Sequence, residues 1–212
     1  MKRFKIYLVD FDGTLINSFE GLRYFYREIF KEVGVNDISD EDCYLFTKMS
    51  LQEAYERKVK DPSKELRERF IKKCMDIVNS GILLDRNVPF FDTIPFIETL
   101  KKEKLPNAIV TGNEAIHINM VLNNLKIGPY YDLIICSSDL TYQKPHPEGI
   151  LLALERMGYK GDKKDVCYIG DAYNDFLAAR DAGVTPIMID RNNEYKENDE
   201  YIIIHSLLDL FS

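Results

Sequence analysis

Two carboxylates, Asp10 and Asp12, stand two residues apart in Asp10-Phe11-Asp12-Gly13-Thr14, directly after a short apolar run. Acids placed this closely can divide labour when their surroundings push their pKa values apart. Asp10, held on a cation, would stay ionised and attack an electrophile. Asp12, with its side chain off the metal, would protonate the leaving oxygen and later deprotonate a water. Other polar groups follow apolar runs of their own: Thr111-Gly112-Asn113, then Ser137-Ser138-Asp139 with Lys144-Pro145 shortly after, then Gly170-Asp171 with Asp175 close behind. Carboxylates, a hydroxyl and a lysine brought together suit phosphate chemistry. A phosphate monoester dianion repels an anionic nucleophile, so a cation must screen both, and Mg2+ takes oxygen ligands and bridges carboxylates to phosphate. Asp10 and Asp171 would supply carboxylate ligands, and a main-chain carbonyl near Asp12 another. Thr111 and Lys144 would bind the phosphoryl oxygens, reinforced by the backbone N–H groups of Gly112 and Asn113 opening the next helix. Most of the catalysis would be positioning and electrostatics.

Such a site needs elements that bring distant residues to one edge. Apolar, β-rich runs occur at residues 4–9, 108–110, 133–136, 166–169, 186–189 and 201–204. They are continuous rather than alternating, as in strands covered on both faces of a parallel sheet. Helical patterns at 96–102, 114–125, 147–157 and 175–182 fill the gaps, so the spacing predicts an α/β protein with a doubly wound parallel sheet. The carboxyl ends of such strands share one edge, where ligands bind at the switch point. Between Ile16 and Val88 the alternation stops. Phe19, Leu22, Tyr26, Ile29, Phe30 and Val33 recur at helical spacing and Gly34 ends the pattern. Ser39 to Asp42 and Ser50 to Glu53 match a helix-start box, and Asp61-Pro62 reads as a cap before a first-turn proline. Leu66, Phe70, Cys74, Ile77 and Val78 form a stripe closed by Gly81. The predicted organisation is an α/β core of residues 1–15 and 89–212 with a small all-helical cap, residues 16–88, inserted after the first strand.

Asp10-Phe11-Asp12-Gly13-Thr14-Leu15 resembles the first motif of the haloacid dehalogenase-like superfamily of phosphohydrolases. Thr111 resembles the second, and Lys144-Pro145 with Pro147-Glu148 the third. The run from Gly170 to Asp175, followed by Ala178-Ala179-Arg180 and Ala182-Gly183-Val184, resembles the fourth. The motifs come in the expected order, each after its own predicted strand. The helical insertion is similar to the cap of the phosphoglycolate phosphatase-like and β-phosphoglucomutase-like branch. The resemblance implies an aspartyl-phosphate at Asp10, acid–base work at Asp12, and Mg2+ held by Asp10, the Asp12 carbonyl and Asp171. Asp175 would stand behind the ligands and support them, or contact the metal indirectly. An acid at Asp12 separates this pattern from those of dehalogenases and phosphonate-cleaving relatives. One departure is Asn17-Ser18 where many relatives have Asp-Ser, which removes a negative charge near the entry to the cap.

Other features narrow the reading. The 212 residues carry a net charge of −7, with no lysine- and arginine-rich block, which argues against a nucleic-acid partner. No run approaches the length that spans a bilayer, and Met1-Lys2-Arg3-Phe4 leads into no signal-like segment, so the expected compartment is the cytoplasm. Cys43, Cys74, Cys136 and Cys167 form no CxxC pair. His117, His146 and His205 have no metal-site spacing and read as surface or structural residues. Asp175 can also be read as a helix N-terminal acid. In the cap, Lys48-Met49-Ser50 lies between two helix signals and is either a substrate-facing loop or a surface turn. The expected activity is hydrolysis of a small phosphate ester. The alternatives are a phosphosugar mutase, an inorganic pyrophosphatase and a phosphate-binding module without turnover.

Overall fold

Apolar runs with polar ends become parallel strands with their ends aligned. The computed structural model describes residues 3–47, 49–61 and 63–212. In chain order the elements are β1 (Ile6–Val9), β2 (Ile16–Asn17), α1 (Phe19–Glu32), α2 (Asp40–Phe46), α3 (Leu51–Lys58), α4 (Lys64–Ser80), β3 (Val88–Pro89), α5 (Thr93–Glu103), β4 (Asn107–Val110), α6 (Ala115–Leu125), β5 (Leu133–Ile135), α7 (Glu148–Arg156), β6 (Val166–Gly170), α8 (Tyr173–Ala182), β7 (Thr185–Ile189) and β8 (Ile202–Ile204). The chain forms two compact units, Met1–Asn17 with Pro89–Ser212, and Ser18–Val88.

In the first unit six strands form one sheet in the order β5-β4-β1-β6-β7-β8, every neighbouring pair parallel. The order reverses at β1, where Val9 lies opposite Ile109 on one side and Ile169 on the other. That reversal is the switch point at which open α/β sheets bind ligands. Every residue of β1 is buried, so both faces are covered, as parallel strands require. On one face Ile6, Leu8, Val110, Val166 and Tyr168 pack with Ile150, Ala153 and Leu154 of α7 and Ala178, Ala179 and Ala182 of α8. The three alanines let α8 approach the sheet closely.

In the second unit α1 to α4 enclose a core of Tyr26, Ile29, Phe30, Phe46, Tyr55, Phe70 and Ile77. Both helix-start boxes form: Ser39 and Ser50 each accept a backbone N–H from Asp42 and Glu53, whose carboxylates return to the cap residues' N–H groups. Gly81 closes α4 at φ 72°, a left-handed conformation that suits glycine. One expected start moves. α4 begins at Lys64 behind Ser63, because Asp61 Oδ1 accepts the Ser63 N–H at 2.8 Å in a local turn and Ser63 Oγ then accepts from Leu66 N. Pro62 lies outside the described residues.

The loop after β7 is anchored by Asp190, 3% exposed, whose carboxylate accepts N–H groups from Asn192, Glu194 and Tyr195 at 3.3, 2.9 and 2.8 Å. Burial pushes this carboxyl up, but the N–H groups and nearby His205 outweigh it and hold the pKa below the usual carboxylate range. A depressed folded pKa adds stability above the unfolded value of about 3.9, and that stability fades as pH falls through the folded pKa. Asp190→Asn should therefore be less stable than wild type at neutral pH, with the gap closing below about pH 4. Urea midpoints measured across that range check the sign.

Candidate active site

β1 delivers Asp10 to the carboxyl edge of the sheet, its N–H donating to the Ile169 carbonyl at 2.8 Å. The Asp10 side chain is buried. The chain then turns through Gly13 at φ 73°, and a Cβ there would sit 2.4 Å from Asp171 Oδ2. Glycine is thus required twice over, for the backbone conformation and for close approach of the β1 and β6 loops.

Lys144 Nζ lies 2.8 Å from Asp10 Oδ1 and 2.6 Å from Asp175 Oδ1. Carboxylate oxygens of Asp10, Asp171 and Asp175 lie within 4.8 Å of one another. Asp175 is fully buried and serves two purposes. Its Oδ2 accepts the Ala172 N–H at 3.0 Å, capping α8, while its Oδ1 faces Lys144. Burial pushes the Asp10 carboxyl up, Lys144 opposes that, and the Asp175 and Asp171 charges push it up again, so the net direction is upward. Burial lowers the Lys144 pKa, but Asp10 and Asp175 raise it further, and the lysine stays charged. An all-oxygen set of mutually repelling acids fits a hard divalent cation, whose charge would reverse the upward push on Asp10.

Asp12 points elsewhere: its Oδ2 accepts from the side-chain amide of Asn113. Thr111 N donates to the Ile135 carbonyl at 3.0 Å, and Thr111 Oγ1 accepts the Asn113 N–H at 3.2 Å. The expectation that Gly112 and Asn113 open the next helix needs correction. Glu114 takes extended backbone at φ −69° and ψ 142°, so α6 starts at Ala115 and the two residues belong to the preceding loop. The Asn113 N–H is committed to Thr111, while the Gly112 Cα faces Gln143, whose Oε1 would be 3.3 Å from an added Cβ.

Other candidates are engaged locally. Asp139 accepts the Cys136 N–H at 2.9 Å and pairs with Arg156 at 2.9 Å. Ser50 caps α3, Met49 packs on the core of the second unit, and Lys48 lies outside the described residues. His146 Nδ1 accepts the Glu148 N–H, and His205 Nδ1 lies 2.8 Å from the Asp190 carbonyl oxygen. His117 is half-buried; burial lowers its pKa and the charge of Asp12 opposes this. The four cysteines are free and buried.

Tyr168 was not among the expected site residues, because a tyrosine inside an apolar strand reads as core. Its hydroxyl lies 3.3 Å from Lys144 Nζ and 3.1 Å from both Asp175 Oδ1 and the Val110 carbonyl oxygen. The available signal was its place in β6, three residues before Asp171. Tyr168→Phe removes one donor from a buried network and should cost about 1 kcal/mol. For a chain of this size that lowers Tm by about 2–4 °C, readable by calorimetry.

Fold and side chains together describe an α/β protein with a parallel sheet and a candidate active site of acids and a lysine at its switch point. The chain belongs to the haloacid dehalogenase-like hydrolase family, whose model matches residues 7–189. It is 27% identical over 211 residues to a phosphoglycolate phosphatase of Pectobacterium atrosepticum, covering 96% of this chain and 87% of that protein. It is 30% identical over 219 residues to a glyceraldehyde 3-phosphate phosphatase of Methanocaldococcus jannaschii, covering 96% and 93%. The crystal structure of a haloacid dehalogenase-like hydrolase from Bacteroides fragilis superposes with a TM-score of 0.84 at 27% identity, covering 98% of this chain and all of that one. Among the described residues no helix is long and apolar enough to cross a membrane.

Proposed function

We propose that this hydrolase is a Mg2+-dependent phosphatase that cleaves a small phosphate monoester through an aspartyl-phosphate at Asp10. The observation that carries the reading is Lys144 lying between Asp10 and Asp175, with Asp171 in ligand range of both acids. The names of the Pectobacterium and Methanocaldococcus relatives, which specify phosphoglycolate and glyceraldehyde 3-phosphate, favour a short organic phosphate.

Asp10 attacks phosphorus through a carboxylate oxygen, forming a P–O bond as the bond to the ester oxygen breaks. Asp12, held off the acid cluster by Asn113, gives its proton to that departing oxygen. It then takes a proton from the water that attacks phosphorus and breaks the acyl-phosphate bond, releasing inorganic phosphate and restoring Asp10. Lys144 and the Thr111 hydroxyl hold the phosphoryl oxygens, where charge accumulates. Asp10, the Asp12 carbonyl and Asp171 would hold Mg2+, whose charge would offset the repulsion between a carboxylate and a dianionic ester.

Purified protein with Mg2+ should release phosphate from an aryl phosphate and from at least one ester in a panel of short organic phosphates, nucleotides, pyrophosphate and both anomers of glucose 1-phosphate. A chelator should stop release, and added Mg2+ should restore it. Turnover unaffected by chelator would rule out the metal, and release from pyrophosphate alone would replace the ester reading.

A further inference from the structure

The loop between β7 and β8 contributes no acid to the cluster, yet it reaches both loops that carry candidate metal ligands. From the base fixed by Asp190, two side chains extend toward them. Arg191 Nη2 donates to the Thr14 carbonyl at 2.7 Å, two residues past Asp12. The same guanidinium pairs with fully buried Asp92 at 3.0 and 3.2 Å and lies 3.7 Å from the centre of the Phe90 ring. Asp92 is held in turn by Ser206 Oγ at 2.9 Å and Leu207 N at 2.8 Å, so the arginine projects from a fixed post. The second side chain, Tyr195, donates its hydroxyl to the main-chain carbonyl of Asp171 at 2.7 Å.

Arg191 and Tyr195 both donate to main-chain carbonyls. Each fastens the backbone of a ligand-bearing loop, one on the β1 side and one on the β6 side. A small cation that demands near-ideal octahedral geometry tolerates little slack between its ligands. Partners that orient the ligands therefore matter nearly as much as the ligands themselves. We propose that Arg191 and Tyr195 are positioning residues that fix the Asp12 loop against the Asp171 loop, so that the β7–β8 loop sets divalent-cation affinity. This rests on the metal-dependent reading above.

The test uses Mn2+ as the probe, titrated into the whole protein without substrate, with free Mn2+ read by electron paramagnetic resonance. Tyr195→Phe keeps the ring and loses only the donor; it should weaken Mn2+ binding about tenfold. Its Tm in chelator should fall by no more than about 2–4 °C, the loss of one hydrogen bond, and excess Mg2+ should restore most of kcat. Arg191→Lys retains charge but not the fork that serves Asp92 and Thr14 together, so it should weaken binding less than Arg191→Met. Arg191→Met also leaves Asp92 buried without its cation and tests folding as well, so Tyr195→Phe decides. Mn2+ affinity within about twofold of wild type in Tyr195→Phe overturns the positioning role. Wild-type protein that binds no Mn2+ overturns the metal reading itself.

Discussion

Asp10→Asn should lower phosphate release by at least about 1,000-fold, with the protein still folded. An amide has no anionic oxygen with which to attack phosphorus, and Asp12, the other acid after β1, is turned onto the Asn113 side chain. The fold should survive because asparagine matches aspartate in shape and its carbonyl oxygen still accepts from Lys144, 2.8 Å away in the wild type. The change also removes one of three acids that repel each other. The net change in Tm should stay within about 3 °C, since gain and loss oppose each other. Turnover in burst and steady-state assays, with calorimetry on the same preparation, separates the two effects. Wild-type turnover from this variant would exclude the covalent route, whatever the substrate.

Lys144→Met should have the largest effect on stability and a large one on rate. The lysine contacts two carboxylates whose side chains are 9% and 1% exposed, while its own is 21% exposed. Removing one partner from a buried ion pair leaves uncompensated charge and costs about 3–5 kcal/mol. For a chain of this length the expected fall in Tm is about 6–20 °C. Lys144 is also the group that opposes the upward push on Asp10, so its loss raises that carboxyl further. A raised acid destabilises the folded state at high pH and is relieved by protonation. The variant's deficit should thus grow as pH rises and shrink toward acid, as urea midpoints at pH 5 and 8 would reveal. Loss of a cation from the phosphoryl position should lower kcat about 100-fold or more. A variant as stable as wild type at pH 8 would mean that the contacts of Lys144 contribute little to the fold.

Much of this arrangement was legible because period and punctuation agreed. Continuous apolar runs gave the strands, since a strand buried on both faces has no polar alternation to obscure it. The boxes at Ser39 and Ser50 marked two helix starts because each is a local exchange of hydrogen bonds, readable within four residues. What escaped was non-local. The start of α4 was misplaced because Asp61 turns onto Ser63, a competition between two good cap residues that spacing alone does not resolve. The Asn113 backbone N–H is expected to face phosphate; the residue's contacts are Thr111 Oγ1 from that N–H and Asp12 from the side-chain amide, the second visible only once β1 and β4 lie side by side. Tyr168 and Tyr195 were hidden because the value of each lies in one hydroxyl at the end of an otherwise apolar ring. Arg191 was hidden because its partners, Thr14 and Asp92, lie 177 and 99 residues away from it along the chain.

β1 lies in the middle of its sheet, opposite Ile109 on one side and Ile169 on the other. β1 precedes β4 and β6 in the chain, so both flanks of the candidate nucleophile Asp10 are supplied by segments made after it. Pairings that span so much chain form slowly and cooperatively. Under the proposed mechanism, reactivity at Asp10 is a late, all-or-none sign that β4 and β6 have both docked, and a nascent chain lacking β6 is chemically silent however well its helices have formed.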